Sequence, residues 1–94
     1  MPRFYLHLYN GRGFVEDNHG AEHDDVDGAR VAAIALLRGV LARNLESGTI
    51  DLAAFVEIEA HDHRPTATIG FVDAVKVSVH PKPELVPEED DEPS

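Results

Sequence analysis

The sequence predicts an α+β fold, namely an antiparallel sheet of four to five strands with one long amphipathic helix on one face, in the order ββαββ(β). Three observations predict it. Residues 3–9 alternate as a strand does, residues 24–48 repeat apolar side chains at helical spacing, and residues 50–79 return to strand alternation. A helix whose apolar face must be covered, with strands on either side of it in the chain, is typical of a two-layer domain.

The first strand, residues 3–9, has two different faces because successive side chains of a strand point in opposite directions. We expect the aliphatic face to pack against the helix, and it consists of Phe4, Leu6 and Leu8. The opposite face is a row of rings with polar atoms, Tyr5, His7 and Tyr9. This row fits a half-exposed face of amphipathic rings, a subunit contact or a small ligand-binding platform.

A hairpin should follow the first strand. Residues 10–13 read Asn-Gly-Arg-Gly, and Asn-Gly favours a tight connection between antiparallel strands. Residues 14–17 then predict a short second strand, and residues 18–20 turn the chain toward the helix.

Both ends of the helix are marked in the sequence. Asp24 and Asp25 can accept hydrogen bonds from the free N–H groups of the first turn. Gly48 can adopt the left-handed conformation that commonly follows a last turn. At 100° per residue one broad apolar face forms, made of Val26, Ala33, Ile34, Leu37, Val40, Leu41 and Leu45.

Arg30 lies at the edge of that apolar face. The structural interpretation is a stem packed over the core with its head in solvent, paired with Glu16 or Asp17. The functional interpretation is an anion anchor, and we favour the structural one because arginines at a helix edge usually pair with carboxylates.

Strand patterns resume after the helix. Residues 50–60 predict one strand, residues 61–65 a polar turn and residues 66–71 the next strand. After a bend, Val75, Val77 and Val79 alternate with Lys76 and Ser78, which predicts a further strand.

The acidic charge is unevenly placed. The net charge is −10, and residues 84–94 contain six acidic side chains and no basic one. We therefore expect one domain over residues 1–80 and a disordered acidic tail rich in Pro, Glu and Asp over residues 81–94. Negative charge opposes binding to nucleic-acid phosphates, so we expect no nucleic-acid partner.

Composition excludes several further classes. There is no cysteine, hence no disulfide framework and no thiolate metal site. The first residues lead into a strand pattern without an apolar signal core, and no apolar run approaches the length of a membrane span. We expect a cytoplasmic protein without a membrane partner.

Two histidine pairs are the candidate metal ligands. His19 and His23 are four residues apart, and His61 and His63 are two apart; both spacings occur in metal sites. No third ligand close in the sequence completes either pair as a metal site. The alternative is four solvated loop histidines, and we favour it.

Catalytic signatures are missing from the sequence. It contains no phosphate-binding loop and no nucleophile elbow, and its three serines have no catalytic context. We therefore expect no enzyme and no cofactor.

Scattered positions resemble a known family of short, uncharacterised bacterial proteins, a domain-of-unknown-function family. They are the opening Met1-Pro2-Arg3-Phe4-Tyr5-Leu6-His7-Leu8, then Glu16-Asp17, Gly20, Asp25 and Ala29-Arg30, and finally Asp51-Leu52, Phe71 and Asp73-Ala74-Val75. His23, the turn at residues 61–63 and the acidic tail depart from the pattern. The resemblance implies the fold over residues 1–79, and the family has no established activity. A looser likeness to small antitoxin domains is a fold-level analogy.

Two functional hypotheses follow. The first is a non-enzymatic protein-interaction module, a homodimer through the second sheet face, that binds a basic protein partner. Its contact residues would be Arg38 and Arg43 on the helix or the row of Tyr5, His7 and Tyr9. The second is a small-molecule or metal-binding protein that uses the loop histidines for sensing.

Overall fold

A five-stranded antiparallel sheet lies against one long helix in a computed structural model that describes residues 2–81. Met1 and residues 82–94 lie outside the described residues, and so does the predicted acidic tail except for Pro81. The elements are β1 Arg3–Asn10, β2 Gly13–Val15, β3 Ala21–Glu22, α1 Val26–Glu46, β4 Phe55–Ala60, β5 Pro65–Gly70 and α2 Phe71–Ala74. The predicted fold class is confirmed.

β1 is the strand around which the sheet is arranged. The strand order is β2-β1-β4-β5, and every pair is antiparallel. β4 pairs with β1 along most of its length, so β2 and β3 share the other edge of β1, one at each end. β1 therefore lies in the interior of the sheet, and β5 is the last strand on the opposite side.

The helix forms as predicted, with slightly shorter bounds. It begins at Val26 because Asp25 is its N-cap, and the Asp25 carboxylate accepts a hydrogen bond from the Gly28 N–H at 3.0 Å. It ends at Glu46, and Gly48 has φ +87°, the left-handed conformation expected of it. The proposed roles of Asp25 and Gly48 are confirmed.

The strand predicted over residues 50–60 begins only at Phe55, because Asp51 builds a loop. The Asp51 N–H donates to the Asn44 side-chain oxygen at 3.1 Å. Its carboxylate accepts from the Gly11 N–H at 2.7 Å and from the Ala53 N–H at 3.0 Å. This loop joins the end of α1 to the turn between β1 and β2.

The prediction of a strand containing Val75, Val77 and Val79 is wrong. Residues 71–74 form α2 instead, and residues 75–80 pair with none of the described strands. Arg38 on α1 donates to the Ala74 carbonyl at 2.6 Å, which holds α2 against the helix. The extra strand of the sheet is β3, which precedes α1, so the element order is βββαββα.

The core lies between α1 and the sheet. Its buried hydrophobic side chains are Phe4, Leu8, Ala29, Ala33, Leu37, Val40, Leu41, Ala54, Val56, Ile58, Ile69 and Ala74. Leu45 was expected on the buried face, but it is 62% exposed, so the apolar face predicted for α1 is wrong at this position.

Arg30 is half-buried at the edge of the helix, as its position predicted. The expected ion pair with Glu16 or Asp17 is not formed among residues 2–81, since the Asp17 carboxylate accepts backbone N–H groups instead.

Gly20 gives a test of how the chain approaches β3. Its φ is +67°, and a Cβ there would lie 2.8 Å from the Phe4 carbonyl oxygen. We expect Gly20→Ala to lower the free energy of unfolding by about 2–4 kcal/mol, since left-handed strain adds to that contact. Urea unfolding measures it.

The matched control is Gly48→Ala, where φ is +87° but no atom lies within 4 Å of the added Cβ. It should cost about 1 kcal/mol from strain alone. Equal losses in the two variants would contradict the close approach at Gly20.

Candidate functional site

The face of the sheet opposite α1 carries rings and carboxylates on neighbouring strands. Cross-strand register places Tyr5 beside Glu59, His7 beside Glu57 and Tyr9 beside Phe55. Phe14 on β2 and His63 in the turn after β4 extend this surface at its two ends. We call it the aromatic face, and it consists of Tyr5, His7, Tyr9, Phe14, Phe55, Glu57, Glu59 and His63.

The rings of the aromatic face form a continuous series of contacts. Tyr9 lies between Phe14 and Phe55, with ring centroids 4.6 Å away on both sides, and it is nearly parallel to Phe55 at 8°. At the other end His63 stacks on Tyr5 at 5.8 Å. His7 joins the two groups, since its ring is 5.6 Å from Phe14 and 6.5 Å from Tyr5. Such offset and tilted arrangements are the favourable geometries for aromatic pairs.

His7 is buried, with 6% of its surface exposed, and both ring nitrogens have partners. Its Nδ1 accepts a hydrogen bond from the Asp17 N–H at 3.1 Å, so this nitrogen carries no proton. Its Nε2 therefore carries the proton and donates to Glu59 Oε1 at 3.1 Å. His7 is thus held as one neutral tautomer between a loop and β4, and it is a positioning group for the face.

Asp17 organises the loop between β2 and β3. Its carboxylate accepts three backbone N–H groups, from Leu6 at 3.0 Å, His19 at 3.1 Å and Gly20 at 2.9 Å. Burial opposes ionisation of Asp17, but these three donors outweigh it and lower the pKa below the ordinary value of 3.8. This role of Asp17 was not predicted from the sequence, although aspartate near a turn glycine is a recognised turn signal.

Glu59 links β4 to both histidines of the face. The His7 hydrogen bond is the main cause that lowers the pKa of Glu59 below 4.5, opposed by partial burial. His63 Nδ1 also lies 3.4 Å from Glu59 Oε1 and adds to the same effect. Glu59 is therefore an anion at neutral pH with its Oε1 already in use.

Glu57, like Glu59, has only one of its two carboxylate oxygens in a hydrogen bond within the described residues. Tyr9 donates its hydroxyl to Glu57 Oε1 at 3.2 Å. Partial burial, followed by the hydrogen bond and charge of Glu57 and the charges of Glu59 and Glu16, raises the pKa of Tyr9 above 10.0. Within residues 2–81 no hydrogen-bond donor reaches Glu57 Oε2. The middle of the aromatic face thus offers an unpaired carboxylate oxygen beside a ring stack.

The four predicted metal ligands do not come together in the described part of the chain. The carbonyl of His19 accepts from Arg3, and the ring of His23 lies 6.1 Å from the ring of Phe4. His61 is exposed in its turn. Of the four, His63 lies on the aromatic face. No group of three or more His, Cys, Asp or Glu arranged for a metal occurs among residues 2–81.

The two predicted helix contacts lie in different surroundings. Arg38 is engaged with the Ala74 carbonyl, which gives it a structural role. Arg43 is exposed in the last turn of α1, where a positive charge suits the helix dipole.

A concavity of about 400 Å³ lies on the helix side of the sheet. It is lined by Leu6, Leu8, Val15, Glu16, Asp17 and Leu36. It was not predicted from the sequence, because its lining comes from β1, the end of β2, the loop after it and α1.

Taken together, the fold and the face define a small α+β domain with an open sheet surface of rings and carboxylates. The family model described as "Domain of unknown function (DUF6894)" matches residues 3–72, so the chain belongs to that family. No curated protein and no solved structure was found to match the chain. The resemblance to a domain-of-unknown-function family is thereby confirmed. Among the described residues, no helix has both the length and the apolarity needed to cross a bilayer.

Glu59 makes the stability of the domain depend on pH. Its pKa is lower in the folded chain than in the unfolded one, so the unfolded chain takes up the proton first as the pH falls. The stability that Glu59 contributes is therefore fully present above its ordinary pKa of 4.5 and is lost as the pH falls through the lower folded value. Glu59→Gln should lose less stability than the natural chain over this window, as measured by urea midpoints from neutral pH to about pH 3.

Glu46→Gln is the control for this measurement, since Glu46 is exposed at the end of α1. Its urea midpoints should change with pH as those of the natural chain do. Both variants should still lose stability in acid because the pKa of Asp17 is lowered as well. Identical slopes for Glu59→Gln and the natural chain would contradict the role given to the His7–Glu59 bond.

Proposed function

We propose that this domain is a non-enzymatic protein-interaction module that binds a basic segment of a partner protein on the aromatic face. The observation that carries the proposal is the unpaired Glu57 oxygen beside the stack of Tyr9 and Phe55. Rings and a carboxylate at one place suit a cation with a flat or apolar body. A protein supplies such cations as arginine and lysine side chains.

Arginine fits this site better than lysine. A planar guanidinium can stack on a ring while its N–H groups donate to a carboxylate, whereas an ammonium acts as a compact point charge. Each cation–π contact at an exposed site contributes about 0.5–1 kcal/mol, so useful affinity needs several arginines along the face. Phe14, which is 50% exposed, offers a further ring next to Tyr9, and Tyr5 offers one at the other end of the face.

The surrounding groups support this proposal by keeping the face in one arrangement. His7 and Glu59 satisfy each other, and Asp17 fixes the loop next to them. A surface held in its binding geometry loses less entropy when a partner binds. Glu57 and Glu16 keep the local charge negative, which favours basic partners and opposes nucleic-acid phosphates.

The proposal also includes roles for the acidic tail and for a homodimer. The acidic residues 84–94 would raise the rate of association with a basic partner, so binding should weaken as salt rises. We also propose a bacterial, cytoplasmic protein that forms a homodimer. It needs no cofactor for this role.

An octa-arginine peptide is a suitable probe for the full chain. We expect Glu57→Gln to weaken binding about fivefold, since a charge-assisted hydrogen bond is lost, as measured by isothermal titration calorimetry. Glu46→Gln removes the same charge at the exposed end of α1 and should leave the affinity nearly unchanged. Equal losses of affinity in both variants would show that only the net charge matters, and they would contradict a binding site at Glu57.

The rings are tested separately. Phe14→Leu removes an exposed ring of the aromatic face, and Val31→Ala trims an exposed side chain of α1 as its control. Phe14→Leu should weaken octa-arginine binding and reduce the preference for octa-arginine over octa-lysine. Val31→Ala should change neither the affinity nor the preference. Amide shifts in a titration followed by NMR should cluster on β1 and β4. A cluster of shifts on α1 would contradict the proposal.

A further inference from the structure

Residues 75–80 have the composition of a strand but no strand to pair with. Val75 has extended dihedral angles, φ −137° and ψ 135°, and three valines alternate with Lys76 and Ser78. Val77 is 61% exposed and Val79 is 87% exposed. β-branched residues in alternation pack well on a sheet, yet here two of the three valines face solvent.

β5 has the complementary property, an edge that no described strand covers. It is the last strand in the order β2-β1-β4-β5, and its only described pairing is with β4. Its six residues, Pro-Thr-Ala-Thr-Ile-Gly, include no charged side chain. Natural edge strands are usually protected from pairing by charges, bulges or prolines. β5 has a proline at its start and a register shift at Thr66 in its pairing with β4, and the regular, uncharged edge is residues 67–70.

The two features do not meet within one chain. Ala74 is buried and its carbonyl is held by Arg38, while Val75 packs on the core. The chain therefore leaves β5 on the helix side of the sheet. Folding residues 75–80 back along their own β5 would pull Ala74 and Val75 out of the core.

We infer that residues 75–80 of one chain add as a strand to the β5 edge of a second copy, and that the second copy returns the same contact. Both segments are six residues long, about 20 Å when extended, so each can cover the other. An exchange of identical segments closes around a two-fold axis and leaves neither strand unpaired. A single unrelated partner strand would satisfy only one of the two features.

Charge favours this contact over other faces of a second copy. Lys76 is the one charged side chain of residues 75–80, and β5 has none, so the contact places no like charges opposite each other. A dimer through the aromatic face would instead bring Glu57 and Glu59 of one copy toward those of the other, which is unfavourable.

This inference rests on the homodimer part of the proposed function and is independent of the basic partner. The β5 contact gives that homodimer its interface and leaves the aromatic face open. A homodimer and a bound basic segment are therefore compatible.

Sedimentation equilibrium of the full chain over the micromolar range tests the interface. The natural chain should be a dimer, and Val77→Lys with Val79→Lys should raise the dimer Kd about tenfold or more, because lysine protects edges from pairing. The matched control is Val31→Lys with Leu45→Lys, which adds the same charge at two exposed positions of α1 and should leave the Kd unchanged. Thermal unfolding should show that both double variants still fold.

The outcomes separate the two proposals. A natural chain that stays monomeric at high micromolar concentration overturns the homodimer and the interface together. A dimer that survives unchanged in the Val77 and Val79 variant, or that weakens equally in the control, overturns the interface alone.

Spin labels give a direct readout because the chain has no native cysteine. Chains labelled at Thr68→Cys are mixed with chains labelled at Ser78→Cys, and the distance between labels on different molecules is measured. We expect a distance within about 20 Å, since paired strands are about 5 Å apart and six residues long. A mixture without short distances overturns the inference.

Discussion

The hydrogen bonds around Asp17 and His7 are the constraint on which the rest of the sheet face depends. Asp17 fixes its own loop through three backbone N–H groups, and its N–H then reaches the buried ring of His7. The ring of His7 in turn donates a hydrogen bond to Glu59 on β4. A buried imidazole costs free energy unless both nitrogens are satisfied, and here a loop satisfies one and a strand satisfies the other. One set of bonds therefore sets the order of the loop, the tautomer of the ring and the charge of the carboxylate.

The open face is thereby divided into a fixed part and an available part. Both ring nitrogens of His7 have partners within the fold, whereas Glu57, like Glu59, keeps one oxygen that no described donor reaches. The stack of Tyr9 with its neighbours lies next to that oxygen. In our proposal, a surface with a fixed histidine and two carboxylates that each keep a free oxygen favours recognition of a cation.

Local signals predicted most of the fold. Asp25 and Gly48 marked the ends of α1, and the alternation of β1 assigned each of its faces, because both signals act over a few neighbouring residues. The predictions that were wrong depended on distant contacts. Asp51 replaces the start of a predicted strand with a loop by bonding to the end of α1, and Arg38 holds α2 where a turn into a strand was expected. The bond between Asp17 and His7 was not predicted for the same reason, since nothing near either residue in the sequence indicates the other.

The loop at Asp51 has a consequence for communication across the molecule. Its carboxylate holds the Gly11 N–H in the turn before Phe14, and its own N–H is held by Asn44 in the last turns of α1. The turn that carries one end of the aromatic face is thus connected through two hydrogen bonds to the end of the helix on the other side of the sheet. Displacing this turn far enough to break the Gly11–Asp51 bond would leave the Asp51 loop held to α1 by Asn44 alone. One aspartate thus joins the two sides of the sheet.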